Sequence, residues 1–133
     1  MGDLGEQIVR DLERERLKGT AYANGVNEHF ADNIHEHFDL LSFTEEGAPV
    51  YIEVKATAQG LSAPFFLSAG EYKFMLQALE NGWNYQIYRL YDVQDKDHYN
   101  LQVLSGAALE ALVITPSEYM VNVKSAKKKS SRK

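Results

Sequence analysis

A chain of 133 residues, 44% apolar, with six Phe and eight Tyr, is the size of one domain and has side chains enough for one core. It has no cysteine, which excludes disulfides and thiolate metal sites and fits an intracellular, cytoplasmic setting; no run of about 18 apolar residues offers a membrane span. Six of the 14 basic residues fall between Lys124 and Lys133, so the rest of the chain carries eight basic against 19 acidic residues, which is not the usual footprint of tight DNA binding.

The opening Met-Gly-Asp-Leu-Gly-Glu lacks the basic-then-apolar pattern of a signal peptide. From Asp3 to about Lys18, Leu4, Ile8, Val9 and Leu12 mark the apolar face of a helix. Asp3 and Glu6 match a capping box, and Lys18-Gly19 ends the helix. Thr20 to Ala23 reads as an edge strand before the turn dipeptide Asn24-Gly25. His29, His35 and His37 sit in a polar stretch. On a strand, His35, His37 and Asp39 would share one face, but a zinc site wants three or four ligands with an oriented second shell. These histidines fit better as strand-edge polar groups or as support for Asp39.

Phe38 to Thr57 is the centre of the chain. Two runs rich in β-branched and aromatic residues flank Thr-Glu-Glu-Gly-Ala-Pro, which reads as an antiparallel hairpin. Alternation puts Tyr51, Glu53 and Lys55 on one face and Ile52 and Val54 on the other. Phe65-Phe66-Leu67 reads as a short strand. Ser68 and Glu71 form a second capping box, opening a helix to Asn81-Gly82 with Phe74, Met75, Ala78 and Leu79 as its buried stripe. Trp83 to Val93 is a strong strand with Tyr85, Ile87, Arg89 and Tyr91 on one face. A charged turn over Asp92–His98, a strand over Tyr99–Leu104, a short helix over Gly106–Leu112 and a last strand over Glu118–Val123 follow. This makes residues 1–123 one α/β (α+β) domain and 124–133 a basic, disordered tail, in which Lys127, Lys128 and Lys129 are candidates for phosphate contacts.

A carboxylate and an ammonium inside an otherwise apolar strand are costly unless paired or bound to a metal. Mg²⁺ prefers carboxylate and carbonyl oxygens and keeps several waters, so Asp39, Glu53 and the Val54 carbonyl are candidate ligands for Mg²⁺ or Mn²⁺. Lys55 lies one strand repeat from Glu53, where it could orient or deprotonate a water and offset phosphate charge. Beside a metal and away from water, such a lysine can titrate below its free value.

Asp39-x13-Glu53-x-Lys55 across a hairpin resembles the PD-(D/E)xK nuclease superfamily. Gly5-Glu6 is similar to the acid those enzymes often place before the motif. Ile-Glu-Val-Lys-Ala-Thr at 52–57, Phe-Leu-Ser-Ala-Gly-Glu at 66–71 and Tyr-Gln-Ile-Tyr-Arg-Leu-Tyr at 85–91 resemble the domain at the C-terminus of the plant protein NO VEIN and of its bacterial relatives. The resemblance runs from Gly5 to Val93. Phe38 stands where many members have Pro, and Ala56 where many have Gly. It implies a restriction-endonuclease-like mixed sheet with helices on both sides, and Mg²⁺-dependent cleavage of DNA in a defence or restriction context. It also implies catalytic roles for Asp39, Glu53, Lys55 and Glu6, with Ser68, Glu71 and His37 as accessory residues. Cutting both strands of a duplex implies a homodimer, and the domain a larger parent protein or complex.

Each of these residues also has a plainer role. Glu53 and Lys55 can be a structural ion pair, Glu6 and Glu71 helix caps, and Tyr85, Tyr88 and Tyr91 packed aromatics rather than base-stacking platforms. The alternative function is a non-catalytic module that binds nucleic acid or a protein on the same fold.

Overall fold

The structure, a computed structural model, describes residues 1–26 and 37–124. Helix α1 spans Gly2–Arg16 and buries Ile8 and Val9, with Leu4 and Leu12 packed at the margin. The expected Asp3–Glu6 capping box is absent. Met1 is the N-cap residue and no side chain caps it; Asp3 instead lies inside the first turn, where its carboxylate faces the positive end of the helix dipole. Glu6 therefore lies beyond the position that a capping box requires. The helix also ends earlier than Lys18, at the buried Leu17.

Four strands form one mixed sheet in the order β1-β2-β3-β4: β1 (Leu40–Phe43), β2 (Pro49–Ala56), β3 (Tyr85–Asp95) and β4 (His98–Ser105). β1 and β2 are the expected antiparallel hairpin, with Leu40 opposite Ile52. β2 and β3 are parallel, with Glu53 opposite Ile87 and Lys55 opposite Arg89. Parallel neighbours need a crossover. Helix α2 (Ala69–Asn81) supplies it, opened by the Ser68–Glu71 capping box and closed by Gly82 at φ 71°. β3 and β4 form a second antiparallel hairpin, and a one-turn helix α3 (Ala107–Glu110) follows.

The two faces of the sheet carry two cores, and the fold is α+β with helices on both sides. Val50, Ile52 and Val54 of β2 pack with Leu40, Tyr88 and Leu90 beneath Ile8 and Val9 of α1. Gly5 lets the helix come close there: a Cβ on it would lie 3.0 Å from that of Ala56 and 3.2 Å from Val54 Cγ1. The opposite face packs Tyr85 and Ile87 against Met75 and Ala78 of α2 and Leu109 of α3, with Tyr51 and Phe74 at its edge.

The carboxylate of Glu13, 2% exposed, joins three elements across the first core. It accepts hydrogen bonds from Ser42 Oγ at 2.8 Å, Tyr88 Oη at 2.5 Å and Arg16 Nη2 at 2.6 Å. Burial pushes this carboxyl up, but Arg16, Tyr88 and Ser42 outweigh it and hold the group below its ordinary value.

Four local expectations fail. Thr20–Ala23 is no edge strand; the chain turns there into a 3₁₀ helix at Ala23–Gly25. Phe65–Leu67 has no ladder partner and is an irregular segment. β3 runs on to Asp95 through an irregularity at which Asp92 adopts φ 51°, so the turn expected over Asp92–His98 narrows to Lys96 and Asp97. Glu118–Val123 pairs with no strand among the described residues and leaves Tyr119, Met120, Val121 and Val123 exposed. Apolar composition makes a strand only where a sheet edge receives it.

Candidate functional site

The hairpin register positions the acid just before β1. Asp39 N–H donates to the Ile52 carbonyl at 2.8 Å, and Asp39 Oδ2 accepts from Val54 N–H at 2.7 Å. The backbone group that Val54 gives to Asp39 is thus its N–H. Strand alternation turns Glu53 and Lys55 to the α2 face, as expected. Glu53 is 1% exposed, and its Oε2 lies 3.1 Å from Lys55 Nζ. On the other side, Lys55 Nζ donates to Glu71 Oε1 at 3.0 Å. That oxygen also accepts from Ser68 N–H at 2.9 Å, while Ser68 Oγ accepts from Glu71 N–H at 3.1 Å. Glu71 is therefore both the helix cap and the second partner of Lys55, and Ser68 acts on the site only through that cap.

These charges set one another. Burial, and then the neighbouring Asp39 charge, push the Glu53 carboxyl up to about 9 against the pull of Lys55. Burial also raises Asp39, although the Val54 N–H bond works the other way. Glu71 is held below its ordinary value: burial is outweighed by the Ser68 N–H bond and by Lys55. Burial alone would depress Lys55, but Glu53 and Glu71 outweigh it and leave the ammonium raised. Without a metal, then, Glu53 and Glu71 keep Lys55 as the ammonium.

Two features fit a cation. Glu53 Oε1 is buried with no hydrogen-bond partner. Burial raises both carboxyls, and the Asp39 charge adds to the rise at Glu53; a cation would relieve both. Among the described residues no group of three or more His, Asp or Glu side chains forms a ready-made metal cage. Mg²⁺ does not need one, since it is held by one or two carboxylates and keeps several waters. Behind Glu53, the buried Tyr85 hydroxyl also has no partner, and burial, then the Glu53 charge, raise its pKa.

The remaining candidates stand as follows on the fold. Glu6 is on α1, half-buried; the helix packs on the other face of the sheet, and Glu6 is not among the charges acting most strongly on Asp39, Glu53 or Lys55. His37 precedes the strand and packs against the start of α2, where a Cβ on Gly70 would lie 2.7 Å from its ring. It does not share a strand face with Asp39, because β1 begins only at Leu40. His29, His35, Lys127, Lys128 and Lys129 lie outside the described residues.

Arg89 was read from the sequence only as a face residue. It is 4% exposed, sits opposite Lys55 across the parallel ladder, and donates from Nη1 to the Leu61 carbonyl at 2.6 Å and from Nη2 to the Ala63 carbonyl. Its one legible signal is a cation in the middle of an apolar strand.

A family model described as Protein NO VEIN, C-terminal matches residues 5–104. The chain belongs to that family. The match takes in α1 from Gly5 onward and all but the last residue of the sheet, so every element that builds the Asp39–Glu53–Lys55–Glu71 cluster lies within the NO VEIN C-terminal region. No curated protein and no solved structure matches the chain. No helix among the described residues is long and apolar enough to cross a membrane.

Proposed function

We propose that this NO VEIN C-terminal domain is a divalent-cation-dependent nuclease of the PD-(D/E)xK superfamily, hydrolysing phosphodiester bonds of DNA. The observation that carries the reading is Glu53: a carboxyl 1% exposed, with one oxygen free of partners, beside Asp39 and 3.1 Å from Lys55. Asp39 and Glu53 would hold Mg²⁺ or Mn²⁺. Once bound, such an ion offsets phosphate charge and makes a water acidic enough to attack. Lys55 would orient that water, or take its proton, and offset charge on the phosphate oxygens. Glu71 holds Lys55 in position through the cap of α2.

One observation favours the rival, a non-catalytic module. Lys55 Nζ already lies 3.1 Å from Glu53 and 3.0 Å from Glu71, partnered on both sides as in a structural network. A supercoiled plasmid separates the two. The nuclease cuts it with Mg²⁺ or Mn²⁺ and not with EDTA, and Lys55→Ala abolishes cutting while Mg²⁺ still raises the Tm by binding the folded state. Direct conversion to the linear form reports a homodimer cutting both strands; accumulation of open circles reports a single copy that nicks. Absence of both cutting and any divalent-dependent Tm shift would remove the nuclease reading.

A further inference from the structure

Beyond the tip of β2 the chain from Thr57 to Phe66 folds back over the sheet. It is fixed at several points. Thr57 N–H donates to the Leu90 carbonyl at 3.0 Å, Asp92 N–H to the Gln59 carbonyl at 2.8 Å, and the Arg89 guanidinium holds the carbonyls of Leu61 and Ala63. Between this segment and the sheet lies a cavity of about 380 Å³. That is within the range of a site for a small molecule of roughly 300–1,000 Å³. Its walls include Lys55 and Arg89, the polar Thr57 and Gln59, and the rings of Phe65 and Phe66, and they include no acid. Lys55 is partnered by Glu53 and Glu71, so in a protein of net charge −5 the cation that gives this cavity its preference for an anion is Arg89.

Arg89 makes the case specific. A buried guanidinium is costly without a counter-charge. Among the described residues no carboxylate lies within ion-pair distance of it. Its charge meets only two carbonyls and the faces of Phe65, at 5.5 Å, and Tyr91, at 5.8 Å. Its Nε is buried with no hydrogen-bond partner. Phe66, in contrast, is 64% exposed at the same cavity, an aromatic surface on which no ring among the described residues stacks.

We propose that this cavity receives one unpaired nucleotide of the substrate strand, its phosphate towards Lys55 and Arg89 and its base on Phe66 with Gln59 at its edge. The inference rests on the nuclease reading and deepens it, because Lys55 belongs to both the carboxyl cluster and the cavity. A base inside a duplex cannot enter so small a space without leaving its stack. The substrate class that follows is single-stranded DNA, or duplex DNA with an unpaired or frayed nucleotide.

Binding is measured by fluorescence anisotropy in EDTA, which removes cleavage, with three labelled probes: a single-stranded oligonucleotide, the same strand with abasic residues, and a blunt duplex. The single strand should bind more tightly than either of the others. Stacking on one aromatic is worth about a tenfold change in affinity, so Phe66→Ala should weaken the single strand by roughly that factor and leave the duplex unchanged. Gln59→Ala should weaken it less, and Tyr119→Ala, an exposed aromatic that does not line the cavity, not at all. Arg89 holds the loop, so its variant is read only if circular dichroism matches the parent; Phe66 and Gln59 carry the test regardless. Equal or tighter duplex binding, or an unaltered single-strand Kd in Phe66→Ala, overturns the inference even if the protein cuts DNA. Single-strand binding that Phe66→Ala weakens, in a protein that never cuts, supports the cavity assignment and removes the nuclease reading.

Discussion

At Glu53 the proton is retained far above the pH at which a free carboxyl loses it. The folded state holds it up to about pH 9, and the unfolded chain releases it near the ordinary value of 4.5. Between those values the folded state binds more protons, so this group's contribution is complete below pH 4.5 and declines as pH rises towards 9. Asp39, also raised, acts in the same direction. Metal-free protein should therefore lose Tm steadily from about pH 5 to 9, and Glu53→Gln, which cannot ionise, should flatten most of that slope. A scan of Tm against pH in EDTA measures both; an equal slope in Glu53→Gln would place the proton elsewhere. A cation must displace the same proton, so Mg²⁺ affinity should increase over the same interval.

Among the elements, α1 is fixed to the sheet by one charge as well as by its apolar stripe. Removing Glu13 would leave Ser42 Oγ and Tyr88 Oη without their acceptor and Arg16 without its partner. Breaking a buried pair from one side costs about 3–5 kcal/mol, so urea unfolding of Glu13→Ala should show a loss of about 3 kcal/mol. The Glu13 carboxyl lies below its unfolded value, so its contribution is present above about pH 4.5 and disappears as pH falls through the folded value, the reverse of Glu53. Local chemistry was legible in the sequence: the alternation of Tyr51, Glu53 and Lys55, the Ser68–Glu71 cap and the antiparallel hairpin. Contacts between distant segments were not. Glu13 read as one more charge on the polar face of a helix, and nothing near Glu71 announced that its cap oxygen would also hold Lys55. Phe65–Leu67 and Glu118–Val123 had strand composition, but a ladder is made by the partner and no periodicity reports one.

For the whole molecule, the arrangement that matters is the parallel pair at the centre of the sheet. β3 lies inside the sheet, between β2 and β4. Lys55 and Arg89 face each other near the C-terminal ends of β2 and of its paired stretch of β3, with the cavity just beyond. Ligands of open α/β sheets are generally bound outside those ends. Because β2 and β3 are parallel neighbours, their pairing must wait for the whole α2 crossover, whereas β1–β2 and β3–β4 each close through a short turn. Loop-closure entropy delays such long-range contacts. In pulse-labelled hydrogen exchange during refolding, the Tyr51 and Thr57 amides, which donate across the joint to the Asn84 and Leu90 carbonyls, should gain protection after the amides of β3 and β4. Simultaneous protection would show that the hairpins do not form independently. A chain emerging from the ribosome would then keep Asp39, Glu53 and Lys55 in water until β3 has been synthesised, and meet the cost of desolvating them only in its final step of assembly.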